Sequence, residues 1–256
     1  MSEKDKNFDD LSEQFARNIY DQPKGKIRLE VLWQHLQKVF PESTNSSALR
    51  VLDAGCGMGH IAIRLAEQGH EMTLCDVSQK MLQHSEKVFQ KKSLKDSARF
   101  IHSSLQGLPS DLKYFDLITC HAVVEWLDDP QQALSELFNR LAPGGILSLM
   151  FYNKTSLVMR NLIRGNLYKV ASGEFSGEAG GLTPTQPLEP QLVYGWLETL
   201  GMNIISRAGI RTFYDYMTRR DHISIEDLIE MEISLSEQEP YLSLGRYIHV
   251  VCRKPV

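Results

Sequence analysis

VLDAGCGMGHIAIRLAEQGHEMTLCD, residues 51–76, is the stretch on which the reading of the fold turns. An apolar run, Leu49–Leu52, has the length and composition of a buried strand. It runs directly into Asp53, Gly55, Gly57 and Gly59. Ile61, Ile63, Leu65 and Ala66 then recur with helical spacing up to Gly69, and a second strand, Glu71–Cys75, stops at Asp76. Strand, glycine turn, helix, strand and acid in this order make a nucleotide-binding half-domain. Glycines let the backbone pass close under a ligand, where a side chain would collide. The helix start offers free N–H groups. An acid at the end of the second strand can accept both hydroxyls of a ribose.

The spacing selects among nucleotides. A dinucleotide fingerprint reads G-x-G-x-x-G, whereas this turn reads G-x-G-x-G with Asp53 two residues ahead of it. A phosphate-binding P-loop needs Lys-Ser or Lys-Thr after its last glycine, and Gly59 is followed by His60 and Ile61. D-x-G-x-G-x-G resembles motif I of the class I S-adenosylmethionine (SAM) methyltransferases. That resemblance implies that Asp53 supports the methionine end of SAM, that Gly55, Gly57 and Gly59 pass under it, and that Asp76 holds the ribose. The competing account is a tight turn in an unrelated α/β domain; Asp53 and Asp76 at these offsets favour SAM.

The chain has 256 residues, enough for one α/β domain with additions. A net charge of −4 argues against a protein that coats nucleic acid through bulk charge, though not against a local basic patch. The charged start, MSEKDKNFDD, lacks the apolar core of a signal peptide, and no apolar run reaches membrane-spanning length. Cys56, Cys75, Cys120 and Cys252 contain no C-x-x-C pair. All lie in or beside expected strands, so the expectation is buried reduced thiols, no metal site and a cytoplasmic location.

Outside the opening unit, Phe8, Leu11, Phe15, Ile19 and Tyr20 are spaced as a helix. Pro23 and Gly25 interrupt it, and a second helix is expected over about 26–39. The two helices either cover one end of the sheet or form a lid that brings Arg28 to the ligand. A helix is expected at Gln79–Lys91, a third strand at Phe100–His102 and a fourth at Phe115–Cys120. The active loop of such a strand lies at its carboxyl end, where His121 stands. His121 reads as a ligand contact or as a hydrogen-bonded structural histidine; Glu125 and Trp126 read as packing or capping. Many relatives place an acid after the third strand to hold the adenine amine; here Leu105 and Gln106 are the substitutes. A helix at Gln131–Leu141 should be stopped by Pro143-Gly144-Gly145, with a fifth strand at Gly145–Phe151. Further elements are a helix at Leu192–Leu200, a sixth strand at Asn203–Thr212 and a last strand at Tyr247–Cys252. Asp221–Glu239 carries seven acids and no Lys or Arg, and reads as an amphipathic helix with a solvated acidic face. Alternating strands and helices give a parallel sheet with helices on both faces.

LCDVSQKML, HAVVEWLDDP, GGILSLMFYN and LGRYIHV, together with NFDDLSEQFARNIYDQPKGKIRLEVLW near the start, are similar to the bacterial tRNA 5-carboxymethoxyuridine methyltransferases nearly end to end. The resemblance implies a class I (Rossmann-like) α/β fold with a seven-stranded, mostly parallel sheet of order 3-2-1-4-5-7-6. It implies one methyltransferase domain over 1–256: a helical lid (1–47), a SAM-binding core (48–151), and substrate-recognition helices with a final hairpin (152–256). It implies SAM contacts at Arg28, Gly55, Cys56, Asp76, Leu105, Gln106 and His121. The reaction implied is methylation of the carboxylate of 5-carboxymethoxyuridine at the wobble position of a tRNA anticodon loop, giving the methyl ester.

A carboxylate is already ionised at neutral pH, so its oxygen can attack the sulfonium methyl without a general base. Catalysis then rests on holding oxygen, carbon and sulfur in line at roughly 3–3.5 Å. No catalytic proton acceptor is expected. One bidentate Arg on the reacting oxygens would stabilise the ground state more than the transition state. Neutral contacts from Tyr20, Tyr152 or Asn153 are expected instead, with Arg211 or Arg246 nearby. For RNA, the candidates are Lys154, Arg160, Arg164 and Lys169, then Arg207 and Arg211, beside aromatic residues that could stack on bases. Four basic residues over such a length also suit a solvated helix face. Two rival functions share the SAM core: a small-molecule methyltransferase, and a SAM-binding RNA module without turnover.

Overall fold

The computed structural model describes residues 9, 22–40, 48–112, 114–175, 184 and 186–256. The helix expected over 8–20, with Tyr20, lies outside these residues apart from Asp9. In chain order the elements are α1 (Pro23–Val39), β1 (Arg50–Ala54), α2 (His60–Glu67), β2 (Glu71–Asp76), α3 (Gln79–Lys91), β3 (Ala98–His102), β4 (Phe115–His121), α4 (Pro130–Arg140), β5 (Leu141–Tyr152), α5 (Lys154–Ile163), α6 (Leu167–Ser172), α7 (Pro190–Thr199), β6 (Asn203–Ile210), α8 (Ile225–Leu235), α9 (Tyr241–Leu244) and β7 (Tyr247–Arg253).

The strands form one sheet of order β3-β2-β1-β4-β5-β7-β6. The pairs from β3 to β5 are parallel, and β7 runs antiparallel to both β5 and β6. Parallel strands covered on both faces carry continuous apolar runs, and β1 shows why: Val51 belongs to the core on the side of α1, α2 and α3, and Leu52 to the core on the side of α4 and α7. The order reverses between β1 and β4, and a ligand crevice opens at the carboxyl ends there.

Several boundaries differ from the sequence reading, each for a local reason. α1 begins at Pro23 rather than near residue 26, because proline's fixed φ and missing N–H suit the first helical turn. Gly25 is buried within the helix. β5 begins at Leu141 rather than Gly145, because Pro143-Gly144-Gly145 sits in a register shift: Phe115 pairs with Leu141, then Leu117 with Ile146. A Cβ on Gly145 would lie 2.8 Å from the Ala142 carbonyl oxygen, so only glycine fits that bulge. The acidic stretch is helical only over Ile225–Leu235, and its acids are not all solvated. Glu232 is fully buried and accepts N–H bonds from Thr212, Phe213 and Tyr214. It pins the turn that follows β6.

Candidate active site

The glycine turn is fixed by the neighbouring strand. The N–H groups of Gly55 and Cys56 both donate to the Cys75 carbonyl, at 2.9 and 3.0 Å. All three turn glycines have positive φ, but for different reasons. A Cβ on Gly55 would lie 2.5 Å from Val123, and one on Gly59 would lie 2.2 Å from the Ser85 hydroxyl of α3. Those two are required by the protein's own packing. A Cβ on Gly57 would meet only Met81, at 3.8 Å, so Gly57 alone faces open space. The expectation that all these glycines clear room for a ligand narrows to Gly57.

Two carboxylates border the turn. Asp53 is buried on β1 and accepts from the Thr119 hydroxyl at 2.7 Å. Burial pushes its carboxyl up to about 7, against the pull of Thr119. Asp76 accepts from the Gly57 N–H at 2.7 Å and the Ser78 N–H at 2.8 Å. These bonds aim both oxygens while leaving lone pairs toward the cleft, as a carboxylate has about four acceptor sites. Burial raises its pKa as well, with the same two N–H bonds opposing. Ser78 also caps α3 and donates to Asp9 at 2.7 Å, which ties the start of the chain to this corner.

The cleft, about 1100 Å³ with its open mouth included, brings together all the residues expected to bind cofactor. Asp53, Gly55, Cys56, Gly57 and Asp76 form one side. Leu105 and Gln106 follow β3, and the Gln106 Oε1 is buried without a partner among the described residues. Arg28 enters from α1 with Leu29 and Leu32, so this helix both packs on the sheet and walls the cleft. Cys56 lies under two carboxylates in a buried setting that pushes its thiol well up, so it is neutral there. All four cysteines are free and buried. The set fits a nucleoside with an amino-acid tail: paired acceptors for a ribose, an amide for a base, and an acid and a guanidinium for the tail.

His121 lines the cleft and is hydrogen-bonded as well. Its Nε2 lies 2.8 Å from the Ser148 hydroxyl, which lies 2.8 Å from His249 Nε2. His249 Nδ1 is 2.7 Å from His35 Nδ1, and His35 Nε2 is 2.8 Å from the Ser206 hydroxyl. Burial holds these rings neutral, with His121 depressed to about 3, His35 to about 4 and His249 well below its usual value. A neutral imidazole donates with one nitrogen and accepts with the other, so the tautomers along the chain are linked. Sequence reading missed this chain, because its members come from α1, β4, β5, β6 and β7. Directly after His121, Ala122 holds φ +60 at the cleft wall, a strained value for a residue with a Cβ.

The substrate and RNA candidates separate. Tyr152 is buried at the end of β5, edge-on to Tyr247 at 5.5 Å, with Arg246 over its ring at 4.6 Å. Its N–H donates to Glu125, which is fully buried and pushed up to about 8 by that burial. Asn153 is not available as a substrate contact: it caps α5 through Thr155, and its Nδ2 donates to the Ser243 and Gly245 carbonyls. Arg211 pairs with Asp215. The four basic residues after β5 do not form one face. Arg160 turns inward beside Arg246, Lys154 pairs with Glu189 at 2.7 Å, and Arg164 and Lys169 remain exposed. Arg207 stacks over Tyr194 on the opposite face of the sheet, away from this group.

Comparison with known proteins gives four findings. A family model described as "Methyltransferase domain" matches residues 52–149. A tRNA 5-carboxymethoxyuridine methyltransferase of Escherichia coli (strain K12) is 44% identical over 254 residues, covering 98% of this chain and 97% of the relative. A malonyl-[acyl-carrier protein] O-methyltransferase of Salmonella typhimurium (strain LT2) is 35% identical over 98 residues, 38% of this chain. Among solved structures, magnesium protoporphyrin IX methyltransferase from Synechocystis PCC 6803 with bound SAH matches with a TM-score of 0.65 at 17% identity, covering 96% and 95% of the two chains. That last likeness is one of fold.

Proposed function

The chain belongs to the family of tRNA 5-carboxymethoxyuridine methyltransferases, and we propose that it methylates the carboxylate of 5-carboxymethoxyuridine at the wobble position of a tRNA anticodon loop, giving the methyl ester. The observation that carries this reading is the extent of the match. The E. coli relative is similar over 98% of the chain, well past residues 52–149 on both sides. The acyl-carrier-protein relative matches over 38%, no more than a shared core needs. Substrate choice resides outside that core, so a small-molecule methyltransferase is the weaker reading.

When bound, S-adenosylmethionine supplies an electrophilic methyl group on a positively charged sulfur. Asp76 holds the ribose hydroxyls, with its oxygens aimed by Gly57 and Ser78. Gln106 and the backbone at Leu105 meet the adenine. Asp53 faces the ammonium of the methionine end and Arg28 its carboxylate. His121 contributes to the same end through the linked chain behind it. The substrate carboxylate is the nucleophile and needs no general base at neutral pH. Anion and cation annihilate in the reaction, so the apolar wall from Leu29, Leu32, Val123 and Met150 favours the transition state over the separated charges. The division of the chain into a leading lid, a cofactor core and later recognition helices agrees with α1 walling the cleft. A tRNA substrate and buried thiols both suit the cytoplasm.

Nucleoside analysis of tRNA from cells with and without the gene tests the reading. Loss of the methyl ester with accumulation of the free acid is expected. Unchanged nucleosides would overturn it.

A further inference from the structure

Behind the cofactor cleft lies a second group of side chains that the reaction above does not use. Arg28 of the cleft sits over the Tyr247 ring at 5.7 Å, Tyr247 meets Tyr152 edge-on, and Arg246 covers Tyr152. Tyr247 and Tyr152 therefore lead from the cleft wall to a cluster of cations. The cluster is stitched by the backbone: Arg246 N–H donates to the Arg211 carbonyl at 3.0 Å, and the Arg246 carbonyl accepts from Asn153 N–H at 3.1 Å. Glu232 clamps Thr212–Tyr214, which fixes Arg211 on one side and Asp215 on the other. Arg211 holds φ +61, a strained value that this clamp maintains.

Among the described residues, charge in the cluster is unbalanced. Lys24, Arg160, Arg211 and Arg246 act on one another, and Asp215 is the carboxylate they share among the described residues. Hydrogen bonding is incomplete as well. The Tyr152 hydroxyl, Arg160 Nε, Arg211 Nε and Arg246 Nη1 are buried without a partner among the described residues. Tyr152 is 2% exposed and Arg211 7%. Buried donors left unmade are costly, and four at one place call for a common acceptor. Burial pushes the Tyr152 phenol up to about 12, so it presents a proton at neutral pH.

We propose that Tyr152, Arg160 and Arg246, held by Arg211 and Asp215, form a site for an oxyanion of the substrate nucleotide. The site rests on the tRNA reading given above. Two oxyanions of that nucleotide share the required chemistry: the carboxylate that is to be methylated, and an adjoining backbone phosphate. Guanidinium groups and a phenol hydroxyl suit either. Their consequences differ. Methylation removes the charge of a carboxylate, so a site reading it releases the ester; a site reading phosphate holds acid and ester alike.

The test compares Arg160→Gln, Arg246→Gln and Tyr152→Phe with the parent, using tRNA that carries the acid and tRNA that carries the methyl ester. Each Gln variant is expected to raise the KM for acid-bearing tRNA about tenfold or more, as loss of one charged hydrogen bond does. S-adenosylhomocysteine affinity should stay within about twofold, which also reports an intact fold. If the parent binds acid more tightly than ester and the variants erase that preference, the carboxylate is the anion. If both affinities fall equally, the phosphate is. An unchanged KM in Arg160→Gln and Tyr152→Phe, with the parent active, overturns the site and leaves the methyltransferase reading standing. A parent that does not methylate acid-bearing tRNA overturns both.

Discussion

Around the glycine turn, the chain answers each carboxylate itself: Asp76 by the N–H groups of Gly57 and Ser78, Asp53 by the Thr119 hydroxyl. Around Tyr152, four cations share Asp215, and four buried donors have no acceptor among the described residues. The first region is aimed before any ligand arrives, and it gains from one that supplies hydroxyls and an ammonium. The second keeps unpaired donors and gains only when an anion enters. The contrast suits an enzyme that draws one positively charged reactant to one side and one negatively charged reactant to the other.

The largest expected effect separates the two regions outright. Asp76→Ala should weaken S-adenosylhomocysteine by about 100-fold in calorimetry, because two charged hydrogen bonds to a ribose are lost. The same substitution should leave the cation cluster's hold on tRNA intact. An unchanged nucleoside affinity would remove Asp76 from the site.

The glycine turn can be divided in the same way. Gly59→Ala places a Cβ 2.2 Å from Ser85 at a positive φ, and should cost about 1–3 kcal/mol of stability. Gly57→Ala meets no close protein atom and should melt nearer to the parent while losing ligand affinity. If the two melt alike, packing does not explain why Gly59 is glycine.

A smaller effect concerns Asp53. Its carboxyl is held near 7 by burial, so native protein keeps this proton where the unfolded chain has released it. That contribution to stability is lost as pH rises from about 4 through about 7. Binding runs the other way: an ammonium beside Asp53 favours its ionised form, so S-adenosylhomocysteine should bind up to about tenfold more tightly at pH 8 than at pH 6, with a proton released below 7. Calorimetry in buffers of different ionisation enthalpy reads that proton. Affinity independent of pH, with no release, would place Asp53 away from the ammonium.

The same contrast explains what was legible in the sequence. Asp53, the turn glycines and Asp76 lie within 26 consecutive residues, and a contiguous motif reveals itself by spacing. Alternating elements pointed to a parallel sheet with helices on both faces, and its order came from the family resemblance alone. The cation cluster joins Arg160, Arg211 and Arg246 from three separate segments, and no local pattern announces that they meet. The chain from His121 to Ser206 was hidden for the same reason. Lys154, Arg160, Arg164 and Lys169 read as one basic run, yet the start of α5 pairs Lys154 with Glu189 while the helix turns Arg160 inward. Asn153 looked like a substrate contact and is a buried joint, because helix capping uses the same polar side chains as binding does. Glu232 looked like part of a solvated face, since periodicity gives the face of a helix and not what lies against each residue on it.

Methyl transfer by the purified protein tests the central claim most directly. With S-adenosylmethionine, it should convert tRNA bearing 5-carboxymethoxyuridine into tRNA bearing the methyl ester, identified by mass spectrometry of the released nucleosides, and should leave small free carboxylic acids unmethylated. Transfer to the small acids with none to that tRNA would contradict the account.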